Sequence, residues 1–190
     1  MSYDMIKKNK DGEISEVDDA TDDNYFRLNN NAINEVKLIA ICYAAKLGAV
    51  SQEEFKKQID FLEFMETVFS SGMTESWFVR CRNIISIIRD SEIETLPTPI
   101  DNLGFIEPFA ANYQHASAED CHKFGTYLNG GLTIIKNSPR FIVLEHDPNK
   151  PVPKDDVRLL VSYLELEGTL GVYLDFADWL LSAEHGIYVG

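Results

Sequence analysis

Apolar residues return at every third or fourth position through most of this chain. A spacing of that kind buries one face only when the segment coils into an α-helix and packs against another element. Ile33, Val36, Ala40, Tyr43 and Leu47 fall at offsets 0, 3, 7, 10 and 14. This stripe opens behind the N-cap candidates Asn29 to Asn31 and stops at Gly48. A second stripe, Phe55, Ile59, Leu62 and Phe69, follows the capping box Ser51-Gln52-Glu53-Glu54. Phe61, Phe64, Met65 and Val68 widen it, as in a helix packed on more than one side, and Ser70-Ser71-Gly72 ends it. A third runs from about Thr74 to Ile88 through Trp77, Cys81, Ile84 and Ile85, with Arg80 and Arg82 expected to point elsewhere.

Leu96-Pro97-Thr98-Pro99 halts any helix, because proline lacks a donor and disfavours α geometry in the residue before it. Residues 96–116 are the expected seam in what the length predicts to be one domain, 1–190, and 100–116 read as irregular. The next helix starts at Ser117-Ala118-Glu119-Asp120 and carries Cys121, Phe124, Leu128, Leu132 and Ile135. Arg140 to Leu144 reads equally as strand or as helical continuation. A proline-rich loop, 146–153, precedes a helix that starts at Asp155-Asp156. Gly168 and Gly171 are expected to separate that helix from a last one bearing Leu170, Tyr173, Ala177, Leu180 and Leu181.

The strand signals lie at the termini. Tyr3 to Lys7 and Glu13 to Val17 flank an Asp11-Gly12 turn and read as a hairpin, Tyr25 to Leu28 as a short strand, and His185 to Val189 as an edge strand beside the hairpin. Period-2 alternation sends Phe26 and Leu28 to the core and Tyr25 and Arg27 away from it. The expected fold class is therefore α+β, predominantly helical, with five or six helices and a small sheet from the N- and C-terminal strands.

Charge narrows the partners. Seventeen Lys and Arg against 31 Asp and Glu leave −14, and residues 151–190 hold seven acids and two bases. Phosphate backbones and anionic membranes bind through Lys and Arg, so neither nucleic acid nor membrane is an expected partner, whereas a basic protein is. The wide-spaced, odd set Cys42, Cys81 and Cys121 suits a reducing compartment. With no apolar leader segment and no long uncharged stretch, the expected location is cytoplasmic.

Catalytic and metal signatures do not assemble. Cys121 has His122 beside it, but neighbours on a helix point about 100° apart, and Cys121 lies on an apolar stripe where it serves as a small hydrophobe. His115, His122, His146 and His185 make no ligand spacing, and the acidic loop Asp18 to Asn24 lacks the glycine and the distal glutamate of a calcium loop. Gly130-Gly131 precedes no phosphate-loop lysine, and the carboxylate pairs at helix starts complement the helix dipole. No cofactor, no metal and no catalysis are expected.

Three patches resemble a known group: Met1-Ser2-Tyr3-Asp4 with Lys10-Asp11-Gly12-Glu13 and Tyr25-Phe26-Arg27-Leu28-Asn29, then Ser117-Ala118-Glu119-Asp120, then Phe176-Ala177-Asp178-Trp179 with Gly186-Ile187-Tyr188-Val189. They are similar to small bacterial cytosolic immunity-type proteins of polymorphic toxin systems. The resemblance implies a protein without an active site that binds and neutralises a toxin domain. Together with the charge, it makes the expected partner a basic toxin domain. Two acidic patches are candidate contacts, Asp18, Asp19, Asp22 and Asp23 in the loop, or Asp155, Asp156, Glu165 and Glu167 in the C-terminal helices. The choice between them stays open, as does the oligomeric state. The alternatives are a scaffold or homo-oligomeric regulatory module and, behind it, an enzyme using a carboxylate cluster.

Overall fold

The computed structural model describes residues 2–19, 21–69, 73–96, 99, 101–110, 113–138 and 166–190. The fold is a predominantly helical α+β arrangement. Its described elements are β1 (Ser2–Lys7), β2 (Tyr25–Asn29), α1 (Asn30–Leu47), α2 (Gln52–Phe69), α3 (Met73–Arg89), a 3-10 helix (Leu103–Phe109), β3 (Gln114–Ala116), α4 (Ala118–Asn137), α5 (Leu166–Leu181) and β4 (Ile187–Val189). The expected strand-or-helix segment at 140–144, the proline-rich loop and the helix from Asp155 lie outside the described residues. So do the widening side chains of α2, Phe61, Phe64, Met65 and Val68, and those of Leu62 and Phe69 in its stripe.

Local chemistry sets the helix ends. The Asn29 side chain accepts the Ala32 N–H at 2.9 Å, and Gly48 closes α1 at φ 83°, a left-handed conformation suited to glycine. At α4 the Ser117 hydroxyl accepts the Asp120 N–H at 3.1 Å while the Asp120 carboxylate accepts the Ser117 N–H at 3.2 Å, a complete capping box. At α2 only half of the box forms. The Ser51 hydroxyl accepts the Glu54 N–H, but the Glu54 carboxylate accepts the Leu103 N–H at 3.2 Å and ties the 3-10 helix to α2.

Helix α4 lies between α1 and α5, and α3 packs on α1. Glycine makes that spacing possible. A Cβ on Gly131 would stand 2.5 Å from Ile39 Cγ2 and 3.0 Å from the Ile39 carbonyl of α1, and one on Gly125 would stand 2.9 Å from the Ala177 carbonyl of α5. The core joins the sheet face to the helices through Met5, Leu28, Ile33, Ile39, Phe109, Phe124, Phe176 and Ile187, all at most 3 % exposed. Each side chain so buried is worth about 1.5–3 kcal/mol relative to exposure.

The structure corrects five expectations. Glu13 to Val17 is not a strand: β1 pairs antiparallel with β2, and only the bridge between Lys8 and Ile14 remains of the hairpin. Ile14 and Val17, three apart, cannot share one face of a strand, and Ile14 is exposed. The last strand is interior, since the order is β2-β1-β4-β3 and β3 supplies the edge. Residues 100–116 are not wholly irregular, because Leu103, Phe105, Ile106 and Phe109 anchor the 3-10 helix in the core. Helix α5 runs through Gly168 and Gly171, whose backbone cost of about 1 kcal/mol each is outweighed by packing on α4. Arg80 points inward rather than away.

Candidate functional site: an acidic cleft beside the outermost strand

The loop before β2 is built by its own carboxylates. Asp19 Oδ1 accepts the Thr21 N–H at 2.7 Å and the Thr21 hydroxyl at 2.6 Å, and both bonds hold the Asp19 carboxyl below its ordinary value. Asp22 Oδ1 accepts the Asn24 N–H at 2.7 Å, and the Asp22 carbonyl accepts the Tyr25 N–H at 2.9 Å, so the loop delivers the chain directly into β2. The Trp179 indole N–H then donates to the Asp23 carbonyl at 2.9 Å, pinning the loop to α5 across 156 residues of sequence.

That tether encloses a trough of about 840 Å³ between the loop, β2 and α5. Phe26 and Trp179 form its apolar floor, their rings 5.7 Å apart, with Val172 beside them. Asp22 and Asp23 line the loop side, and Asp175 and Asp178 the helix side. The spacing of Val172, Asp175 and Trp179 at three to four residues brings them to one face of α5, with Ser182 just past its end. Two cations share the trough. Lys7 Nζ lies 5.3 Å from the Trp179 ring centroid, and desolvation lowers its pKa although Asp23 and Asp22 pull it upward. Arg27 lies 3.4 Å from Asp4 and donates to Ser2 Oγ at 2.8 Å, so its charge is partly engaged outside the trough. Four carboxylates against two cations leave the trough net negative.

Of the eight candidate contact residues, Asp22 and Asp23 line this trough. Asp18 and Asp19 are exposed on the same loop outside it. Asp155, Asp156 and Glu165 lie outside the described residues, and so does the Glu167 side chain, although its backbone is in α5. Asp175 and Asp178 are the carboxylates that the sequence reading passed over. Their signal was present, two acids three apart on the face of the last helix opposite the stripe of Tyr173, Ala177 and Leu180.

Glu35, 0 % exposed, accepts the Tyr173 hydroxyl at 2.7 Å and the Arg80 guanidinium, joining α1, α3 and α5. Desolvation raises its carboxyl above the ordinary range, against the opposing pull of Arg80 and Tyr173. Burial pushes the Cys121 thiol up to about 12, and the Cys42 and Cys81 thiols also upward. Cys121 is enclosed while His122 is exposed, so the pair does not make a nucleophile and base. Among the described residues no group of three His, Cys, Asp or Glu side chains is arranged to hold a metal, and no helix is long and apolar enough to cross a membrane.

Compared with models of protein families, with curated proteins and with solved structures, the chain gives no match.

Proposed function

We propose that the chain is a non-catalytic immunity-type protein that binds a basic toxin domain and neutralises it, with the trough beside β2 as its contact surface. The observation that carries this reading is the convergence of Asp22, Asp23, Asp175 and Asp178, from opposite ends of the sequence, around an apolar floor of Phe26 and Trp179. A surface of this composition attracts a cationic partner from a distance and offers aromatic area for the stems of Lys and Arg once the partner docks. The net charge of −14 acts in the same direction.

The test is co-expression with the product of the adjacent gene and recovery of a complex at low and high salt. Association should weaken with salt, and Asp175→Lys with Asp178→Lys should slow it about tenfold or more while leaving the fold intact, since both side chains are exposed. Lysine at Asp18, outside the trough, should change the rate far less. If no complex forms and toxicity is not rescued in cells, the neutralising role is wrong; a stable homo-oligomer would then favour the scaffold.

A further inference from the structure

Strand β2 is the last strand of its sheet, and among the described residues no strand pairs with its outer side. The register identifies what that edge offers. The Lys7 N–H donates to the Asn24 carbonyl at 2.8 Å, and the pairs Met5 with Phe26 and Tyr3 with Leu28 continue in step. In an antiparallel ladder, hydrogen-bonded and non-bonded pairs alternate, so Phe26 and Leu28 direct their backbone groups to β1, while Tyr25 and Arg27 direct theirs outward. The Tyr25 N–H is already taken by the Asp22 carbonyl. The outer edge therefore presents the N–H and C=O of Arg27 and the C=O of Tyr25.

The trough lies along this edge. Tyr25, Phe26 and Arg27, three consecutive residues whose side chains alternate between the two faces, all line it. A cavity reaches both faces of a strand when it passes along the strand's side.

We infer that the trough is a strand-addition site for an extended, basic segment of a partner protein, which pairs with the outer edge of β2 and points a Lys or Arg toward α5 at every second residue. The inference rests on the proposed reading of the trough as the contact surface and adds the form of the partner. Inward side chains of an added strand meet the Phe26 and Trp179 rings, and their cationic heads reach Asp175 and Asp178 on one wall or Asp22 and Asp23 on the other. Outward side chains lie over Tyr25 and Arg27, where a β-branched residue fits and a further cation is repelled by Arg27. A second copy of the chain is a poor occupant, because it would bring its own four carboxylates and a net charge of −14 to the same trough.

The probe is a seven-residue peptide of alternating lysine and valine, end-capped and titrated into the full chain, with backbone amides followed by NMR and hydrogen exchange. The peptide should slow exchange at the Arg27 amide about tenfold or more and leave Phe26 and Leu28, already bonded to β1, unchanged. The same peptide N-methylated on the amides that face β2 keeps its charge and loses its donors, and it should bind about tenfold more weakly. A glutamate and valine counterpart should not bind, and Asp175→Lys with Asp178→Lys should abolish binding of the lysine peptide. Strand addition is overturned if the lysine peptide does not bind, if the N-methylated form binds equally well, or if the Arg27 amide is already protected in a dimer of the free protein. The two readings fail separately. Equal binding of the N-methylated peptide beside a recovered toxin complex removes strand addition alone, whereas peptide binding with no toxin complex removes the immunity role alone.

Discussion

Glu35 is the residue on which the helical layer is most exposed to failure. Its carboxylate is fully enclosed and shared by Arg80 and Tyr173, so Glu35→Ala removes the acceptor that joins the two and should cost about 3–5 kcal/mol in urea unfolding. Replacing Glu35 and Arg80 together by methionine removes both charges and should cost less than the sum of the single changes, a coupling that a double-mutant cycle reads directly. Its pH dependence has a definite sign. Because burial raises the folded-state value, the folded protein binds the proton more tightly than the unfolded chain. The contribution is therefore complete below the unfolded value of about 4.3 and is lost as pH rises through the folded value. Glu35→Gln does not titrate, so the wild type should lose stability relative to this variant as pH rises above the unfolded value. A gain in stability relative to this variant as pH rises through about 4 would instead mean that Arg80 keeps the folded carboxyl ionised. On β2, Phe26 touches the Phe176 and Trp179 rings, and Phe26→Ala should cost about 3 kcal/mol. Arg27→Ala should cost under about 1 kcal/mol, because its partner Asp4 is itself well exposed. Similar losses from the two changes in parallel melts would mean that the strand faces the other way.

Among the elements, α4 shows how one substitution changes sign with its surroundings. Gly131→Ala improves helix propensity but drives a methyl into Ile39 and its carbonyl, and it should destabilise by about 1–3 kcal/mol. Gly171→Ala on α5 meets nothing within 4 Å and should stabilise by up to about 1 kcal/mol. Thermal unfolding of the two variants side by side checks both signs, and a stabilised Gly131→Ala would show that α1 and α4 are free to separate. The same elements show what the sequence disclosed. Asn29, Gly48 and Ser117 announced their helix ends because a cap is satisfied within a few residues of chain. The partner of β1 was not disclosed, since Asp11-Gly12 makes a good turn whichever strand follows, and the choice of β2 depends on the buried face that Phe26 and Leu28 supply.

For the molecule as a whole, the three cysteines report on global opening. Cys42, Cys81 and Cys121 are buried at 3 %, 2 % and 0 % exposure on three different helices, with thiolates disfavoured by burial. A thiol reagent should label the native protein slowly at all three positions and together, and quickly in denaturant. Fast native labelling of Cys121 with loss of function would restore a nucleophilic role to it. Charge acts at this scale too. The acidic loop and α5 are brought together only by the folded chain, so the negative potential of the trough should disappear with unfolding even though the net charge does not change.

The sequence by itself determined the helix-rich α+β class, the caps of α1 and α4, the inward facing of Leu28 and Phe26, the burial of the cysteines and the acidic balance. All of these follow from periodicity, capping chemistry and composition, which act between near neighbours or through counting alone. Only the tertiary structure decided that Arg80 turns inward to Glu35, that β4 lies between β1 and β3, and that Asp175 and Asp178 stand across a trough from Asp22 and Asp23. Each of these is a meeting of segments far apart in the chain, as the bond from Trp179 to the Asp23 carbonyl shows. Such meetings are selected by which buried faces and hydrogen-bonding groups fit one another in space, and no local spacing along the sequence encodes that fit.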